Sequence, residues 1–186
     1  MQKIIFIVYI FFLLPYSTTM ANEEASYDVV HKTDIYEVRY YSDRLVAQVT
    51  NKGDNNSFRK LFNYISGENK NSEKIAMTIP VTQTKKDGEL FMQFYLPSKF
   101  NKETTPIPTN PDLEITTIPE GYFAVIKFSG RSSDKNFEKY NKILKQKLLE
   151  DKIPINGFAV RATYNSPFTL PPLRRNEAMF SIDWKS

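Results

Sequence analysis

The sequence has no cysteine, a single histidine, a single tryptophan and six glycines among 186 residues. Without thiols there is no disulfide framework, no thiolate nucleophile or metal ligand, and no lipid-modified N-terminal cysteine. A lone histidine, His31, leaves Ser-His-Asp or Cys-His catalysis only one residue to run through, and that residue sits near the start of the chain, where it reads as a solvated side chain. The glycines are too few and too scattered for a phosphate-binding loop or a dinucleotide fingerprint, and no cluster shows zinc-ligand spacing. Carboxylates that could pair for acid/base work, Glu37 with Asp43 and Glu114 with Glu120, read as solvated surface. No block of like charge exists either. The net charge of +4 is spread among interspersed acids, which gives nucleic-acid binding little support.

What is present begins with an export pattern. Lys3, the apolar run Ile4–Leu14 and the small-residue step Thr19-Met20-Ala21 have the order of a cleavable signal peptide. The run is shorter than the about 20 apolar residues that a membrane-spanning helix needs. Residues 1–21 are therefore expected to be removed, leaving 22–186 as one domain, periplasmic or secreted and without an integral membrane anchor.

Fourteen phenylalanines and eleven tyrosines give the chain an aromatic load that suits a core, and also suits flat apolar ligands. Tyr36–Thr50 predicts two strands around a Ser42-Asp43 turn. Phe58, Leu61, Phe62 and Ile65 fall at helical spacing and predict a helix over Asn55–Ser66, stopped by Gly67. Two strands follow, Ile75–Thr84 and Leu90–Leu96, joined by a turn at Lys85–Gly88. The Pro97–Pro111 segment, rich in proline, threonine and asparagine, reads as a surface connection between two halves. Beyond it come strands at Leu113–Thr117 and Tyr122–Phe128, a helix over Ser133–Glu150 striped with Phe137, Tyr140, Leu144 and Leu148, and strands at Phe158–Tyr164 and Ala178–Asp183. The pattern is two strand-helix-strand-strand repeats. It predicts an α+β fold, a curved antiparallel sheet or open barrel flanked by two helices.

Four segments in order carry a resemblance: Tyr36-Glu37-Val38-Arg39-Tyr40-Tyr41, Met77-Thr78-Ile79-Pro80-Val81-Thr82, Phe128-Ser129-Gly130, and Ser166-Pro167-Phe168 with Arg174-Arg175-Asn176-Glu177. Together they resemble the SOUL haem-binding family from Tyr27 to Trp184. The resemblance implies a distorted antiparallel β-barrel with two flanking helices, and a monomer that binds haem or another porphyrin non-covalently, for carriage, buffering or scavenging, without enzymatic activity. It assigns the ligand to the first helix, which carries Phe58 and Phe62, and to the loop before the last strand, which carries Phe168, Leu170, Arg174 and Arg175.

Such residues suit the ligand, since aromatics meet a flat macrocycle and arginine forks meet its propionates. Each also has a plain structural reading: the two phenylalanines as core, the arginines as pins for the loop, and Ser166–Pro172 as a rigid proline turn. Some relatives place a histidine where this chain has Tyr40, which makes Tyr40 the candidate iron ligand as a phenolate. On a strand the same tyrosine reads as a packed residue, and burial of the macrocycle without a strong iron bond is the preferred picture. Two other classes stay open: a protein-interaction module using the exposed apolar helix, and a tetrapyrrole-modifying, metal-removing enzyme.

Overall fold

A computed structural model describes residues 22–51 and 56–185; the expected export signal lies outside the described residues. The strands are β1 (Glu23–Glu24), β2 (Asp28–Lys32), β3 (Glu37–Tyr41), β4 (Arg44–Asn51), β5 (Thr78–Ile79), β6 (Val81–Lys86), β7 (Glu89–Tyr95), β8 (Leu113–Ile118), β9 (Gly121–Phe128), β10 (Val160–Thr163) and β11 (Asn176–Ile182). The helices are α1 (Ser57–Ile65) and α2 (Asp134–Glu150). Ser133 caps α2, its hydroxyl accepting from the Asn136 N–H at 3.3 Å.

Nine strands form one antiparallel sheet in the order β2-β3-β9-β11-β10-β6-β7-β4-β8, and β1 pairs in parallel with β5 beside it. Only Ser42 and Asp43 separate β3 from β4, yet these strands lie near opposite ends of that order. Pro119 and Glu120 make the same jump from β8 to β9. Links this short force the sheet to curl until its ends approach, because two residues reach only about 7 Å. The two corners are tied together by the Glu120 N–H, which donates to Asp43 Oδ1 at 2.7 Å.

Exchanging β3-β4-α1-β6-β7 for β8-β9-α2-β10-β11 reverses the central strand order and leaves it unchanged. The repeat read from the sequence is therefore a true pseudo-twofold, with an additional leading strand in each half. The axis passes between β6 and β10, which pair from Val81↔Thr163 to Thr84↔Val160.

Alternation assigns the two faces of the sheet. On the convex face, Val38, Ala124, Ile126, Ala178 and Phe180 pack under Phe137, Leu144 and Leu148 of α2. Ala47, Val49, Met92 and Phe94 pack under Leu61, Tyr64 and Ile65 of α1. The concave face is aromatic and ionic, with Tyr41, Phe123, Tyr164 and Met179 around Arg39 and Glu177.

β2 pairs with β3, Tyr27 lies 4.1 Å from the Arg39 guanidinium, and His31 is exposed, as its place in the sequence suggests, 5.1 Å from Trp184. One sequence expectation needs correction here. The Pro97–Pro111 connection is more than surface, because the Pro106 carbonyl accepts the buried Tyr64 hydroxyl at 2.7 Å and Thr105 is buried. A polar segment of this kind sends no periodic signal, so its anchoring shows only in three dimensions.

Candidate functional site on the outer face of the first helix

The hydrogen bond from Tyr64 to Pro106 fixes how α1 is rotated. With Tyr64, Leu61 and Ile65 turned inward, helical spacing of about 100° per residue leaves Phe58 and Phe62 on the flank. They are 48% and 49% exposed, their ring centroids lie 6.2 Å apart, and their planes are inclined by 12°. Phe58 rests edge-on against the buried Phe94 at 5.3 Å. The core reading therefore holds for Leu61 and Ile65, and the two phenylalanines form a half-exposed apolar ledge of nearly parallel rings.

The loop from Asn165 to Arg175 rises from the neighbouring strand ends. Phe94 pairs with Val81, and Val81 pairs with Thr163 at the base of the loop, so two strand spacings of about 4.8 Å separate the support of Phe58 from that base. Phe168, Leu170 and Leu173 project from the loop at 94%, 67% and 72% exposure. Helix and loop thus present apolar side chains from adjacent elements.

The arginines are placed differently from one another. Arg174 folds back on its own loop, Nε donating to the Thr169 carbonyl at 2.7 Å and Nη2 to the Pro167 carbonyl. Arg175 turns into the concave face. There it holds Glu24 through Nη1 at 3.0 Å and Nη2 at 2.8 Å, meets Glu177, and covers the Tyr164 ring at 3.7 Å. Both therefore serve as pins, and Arg175 has no fork left for a propionate. Arg59, on α1 between the two phenylalanines, is exposed and makes no ion pair among the described residues. It was not singled out in the sequence because a lone arginine in a helix carries no motif.

Tyr40 lies on β3, away from the strands that carry α1. Its hydroxyl donates to Glu120 at 2.6 Å and its ring meets Tyr122 at 5.2 Å. The Glu120 hydrogen bond raises the phenol pKa. Among the described residues no group of three or more His, Asp or Glu side chains is arranged to hold a metal ion.

A cavity of about 760 Å³ lies elsewhere, between Glu23–Ser26, the Ser42–Leu45 corner and Pro97–Glu103. Its wall carries the carboxylates of Glu23, Glu24, Asp43 and Glu103 against the cations of Arg44 and Lys102, an unfavourable field for a dianionic ligand. The ledge on α1, which is open, apolar and beside a cation, is the better candidate.

This curled two-repeat barrel flanked by two helices defines a class of small α+β domain. The chain belongs to the SOUL heme-binding protein family, which matches residues 22–181. It is 29% identical over 177 residues to heme-binding protein 2 of Mus musculus, covering 88% of this chain and 85% of that one. Identity to heme-binding protein 2 of Homo sapiens is 30% over 161 residues, covering 79% and 77%. Among solved structures, the EcmrR C-terminal domain shares the fold at a TM-score of 0.60 with 11% identity, over 84% of this chain and 98% of that one. A hydrolase from Listeria innocua does so at 0.58 with 10% identity, over 83% and 94%. At such identities these two structures speak for the fold alone.

Proposed function

We propose that this chain is an exported, monomeric, non-enzymatic binder of haem or a related tetrapyrrole, held non-covalently for carriage, buffering or scavenging. The observation that carries the proposal is the Phe58–Phe62 pair: two nearly parallel rings, half exposed, on the helix that the family resemblance assigns to the ligand. Rings so placed give a macrocycle exposed aromatic surface to pack against, while core phenylalanines would be hidden. Phe168 and Leu170 supply the second apolar wall, and Arg59 the cation for a propionate. The residues present thus fit the apolar body of the group and at least one of its carboxylates. The macrocycle's π system would supply the Soret band by which binding is followed, and in this reading Tyr40 takes no part in holding the iron.

The test is titration of the mature protein with haemin, following the Soret band, with metal-free protoporphyrin in parallel. Saturable binding of both, within about tenfold of each other, is expected when burial dominates over an iron bond. Absence of saturable binding by either compound would overturn the reading. Export is checked separately by the intact mass of protein recovered outside the cytoplasm, which should begin near Asn22.

A further inference from the structure

We propose that the Ser166–Leu173 loop is a docking element for the surface of an anionic lipid bilayer. Three large apolar side chains, Phe168, Leu170 and Leu173, stand on it at 94%, 67% and 72% exposure. Water penalises such a display, and the loop is built to hold it. Its backbone turns inward: Thr169 N–H donates to the Ser166 carbonyl at 3.0 Å, Leu173 N–H to Leu170 at 2.9 Å and Arg174 N–H to Pro171 at 3.2 Å. The Pro171 carbonyl also receives the Gly130 N–H at 2.8 Å, and the Arg174 side chain caps the carbonyls of Thr169 and Pro167. Pro167, Pro171 and Pro172 have no N–H to satisfy.

A loop that satisfies many of its own polar groups and points apolar side chains outward is suited to entering the interfacial region of a bilayer, where the remaining groups can meet headgroups and water. A protein groove is usually entered by a strand edge, by a helix with anchors at i and i+4, or by an extended proline-rich segment, and this loop, closed into turns at Ser166–Thr169 and Pro171–Leu173, offers none of these. Charge selects the lipid. The loop and its seat, residues 165–175 and 129–133, contain Arg131, Arg174 and Arg175 and no acidic residue. Arg131 and Arg174 have no carboxylate partner among the described residues, so they match an anionic headgroup layer. No helix among the described residues is long and apolar enough to cross a membrane.

The experiment is flotation of the mature chain, without tetrapyrrole, on vesicles of phosphatidylcholine alone or containing phosphatidylserine. Wild type should float with the phosphatidylserine vesicles and release at high salt. The combined variant Phe168→Ser, Leu170→Ser, Leu173→Ser should lose roughly a thousandfold or more in partitioning, since each apolar side chain is worth about tenfold or more. Its melting temperature should be unchanged, because all three side chains already face water. Phe58→Ala should float as wild type, which separates this proposal from the tetrapyrrole reading. Failure of wild type to float, or equal flotation of the triple variant, overturns the proposal. So does lipid-independent self-association that the triple variant abolishes, because the loop would then be an interface between proteins.

Discussion

Arg39 and Glu177 stand 138 positions apart and meet in a two-pronged ion pair, Nη1 to Oε2 and Nη2 to Oε1, both at 3.0 Å and with neither side chain exposed. The same carboxylate accepts the Tyr164 hydroxyl at 2.6 Å and the Arg175 Nε at 3.0 Å. The pair spans β9 to join β3 of one half to β11 of the other. Glu177→Leu would leave Arg39 buried without its main partner, and a loss of about 3–5 kcal/mol is expected. Urea unfolding measures it. A loss below about 1 kcal/mol would show that the pair adds little beyond what an apolar contact provides.

Neighbouring positions on α1 should separate stability from binding. Leu61→Ala empties a fully buried site and should cost about 2–5 kcal/mol. Phe62→Ala removes a half-exposed ring and should cost about half or less of the 3–5 kcal/mol typical of a buried phenylalanine, while haemin affinity falls about tenfold. Melting curves and Soret titrations on the two variants give both numbers, and the reverse pattern would place Phe62 in the core.

Tyr40→Phe should leave the ferric Soret spectrum and haemin affinity unchanged, since Tyr40 lies on β3, away from the strands that carry α1, and its phenol is engaged by Glu120. A spectral shift on that single replacement would establish phenolate ligation and end the burial-only picture.

The three arginines should divide their effects. Arg59→Ala should weaken haemin binding by several-fold without lowering the melting temperature. This is the modest effect expected of an exposed charge pair. Arg175→Ala should act the opposite way, because it breaks the Glu24 and Glu177 contacts at the mouth of the concave face. Arg174→Ala should loosen the loop, read as faster proteolysis between Ser166 and Leu173.

Alkaline pH offers a test of the core. Burial pushes the Tyr64 phenol up to about 12, with Glu73 adding to the shift, and burial raises Tyr36, Tyr41 and Tyr164 further. A phenol whose folded pKa lies above its unfolded value near 10 contributes stability that is whole below about pH 10 and is lost as pH rises toward the folded value. Absorbance near 295 nm should therefore show exposed tyrosines titrating first and these four only with loss of structure. Smooth titration of all tyrosines near pH 10 with the fold intact would contradict the burial.

Much of the fold was legible because periodicity reports directly on burial. The α2 stripe of Phe137, Leu144 and Leu148 is buried as its spacing demands, and Tyr140 stacks on Phe128 at 4.3 Å. The α1 stripe misled by one step: Phe58 and Phe62 share the spacing of Leu61 and Ile65, but Tyr64 takes the inward place. Aromatic and aliphatic residues score alike in a pattern, and the choice between them was made by a carbonyl 42 positions away. The loop was legible as composition only, since Arg174 and Arg175 are adjacent letters with opposite destinations.

The sequence by itself determined the two halves, their helices and most strands, and the family, because local spacing and ordered short motifs survive without coordinates. Tertiary structure alone decided which face of α1 stays wet, that Arg175 is spent on Glu24 and Glu177, and that Tyr40 is tied to Glu120. The physical reason is range. Helical and strand periods are set within a few residues, whereas hydrogen bonds and ion pairs are set by atoms that meet only once the sheet has curled.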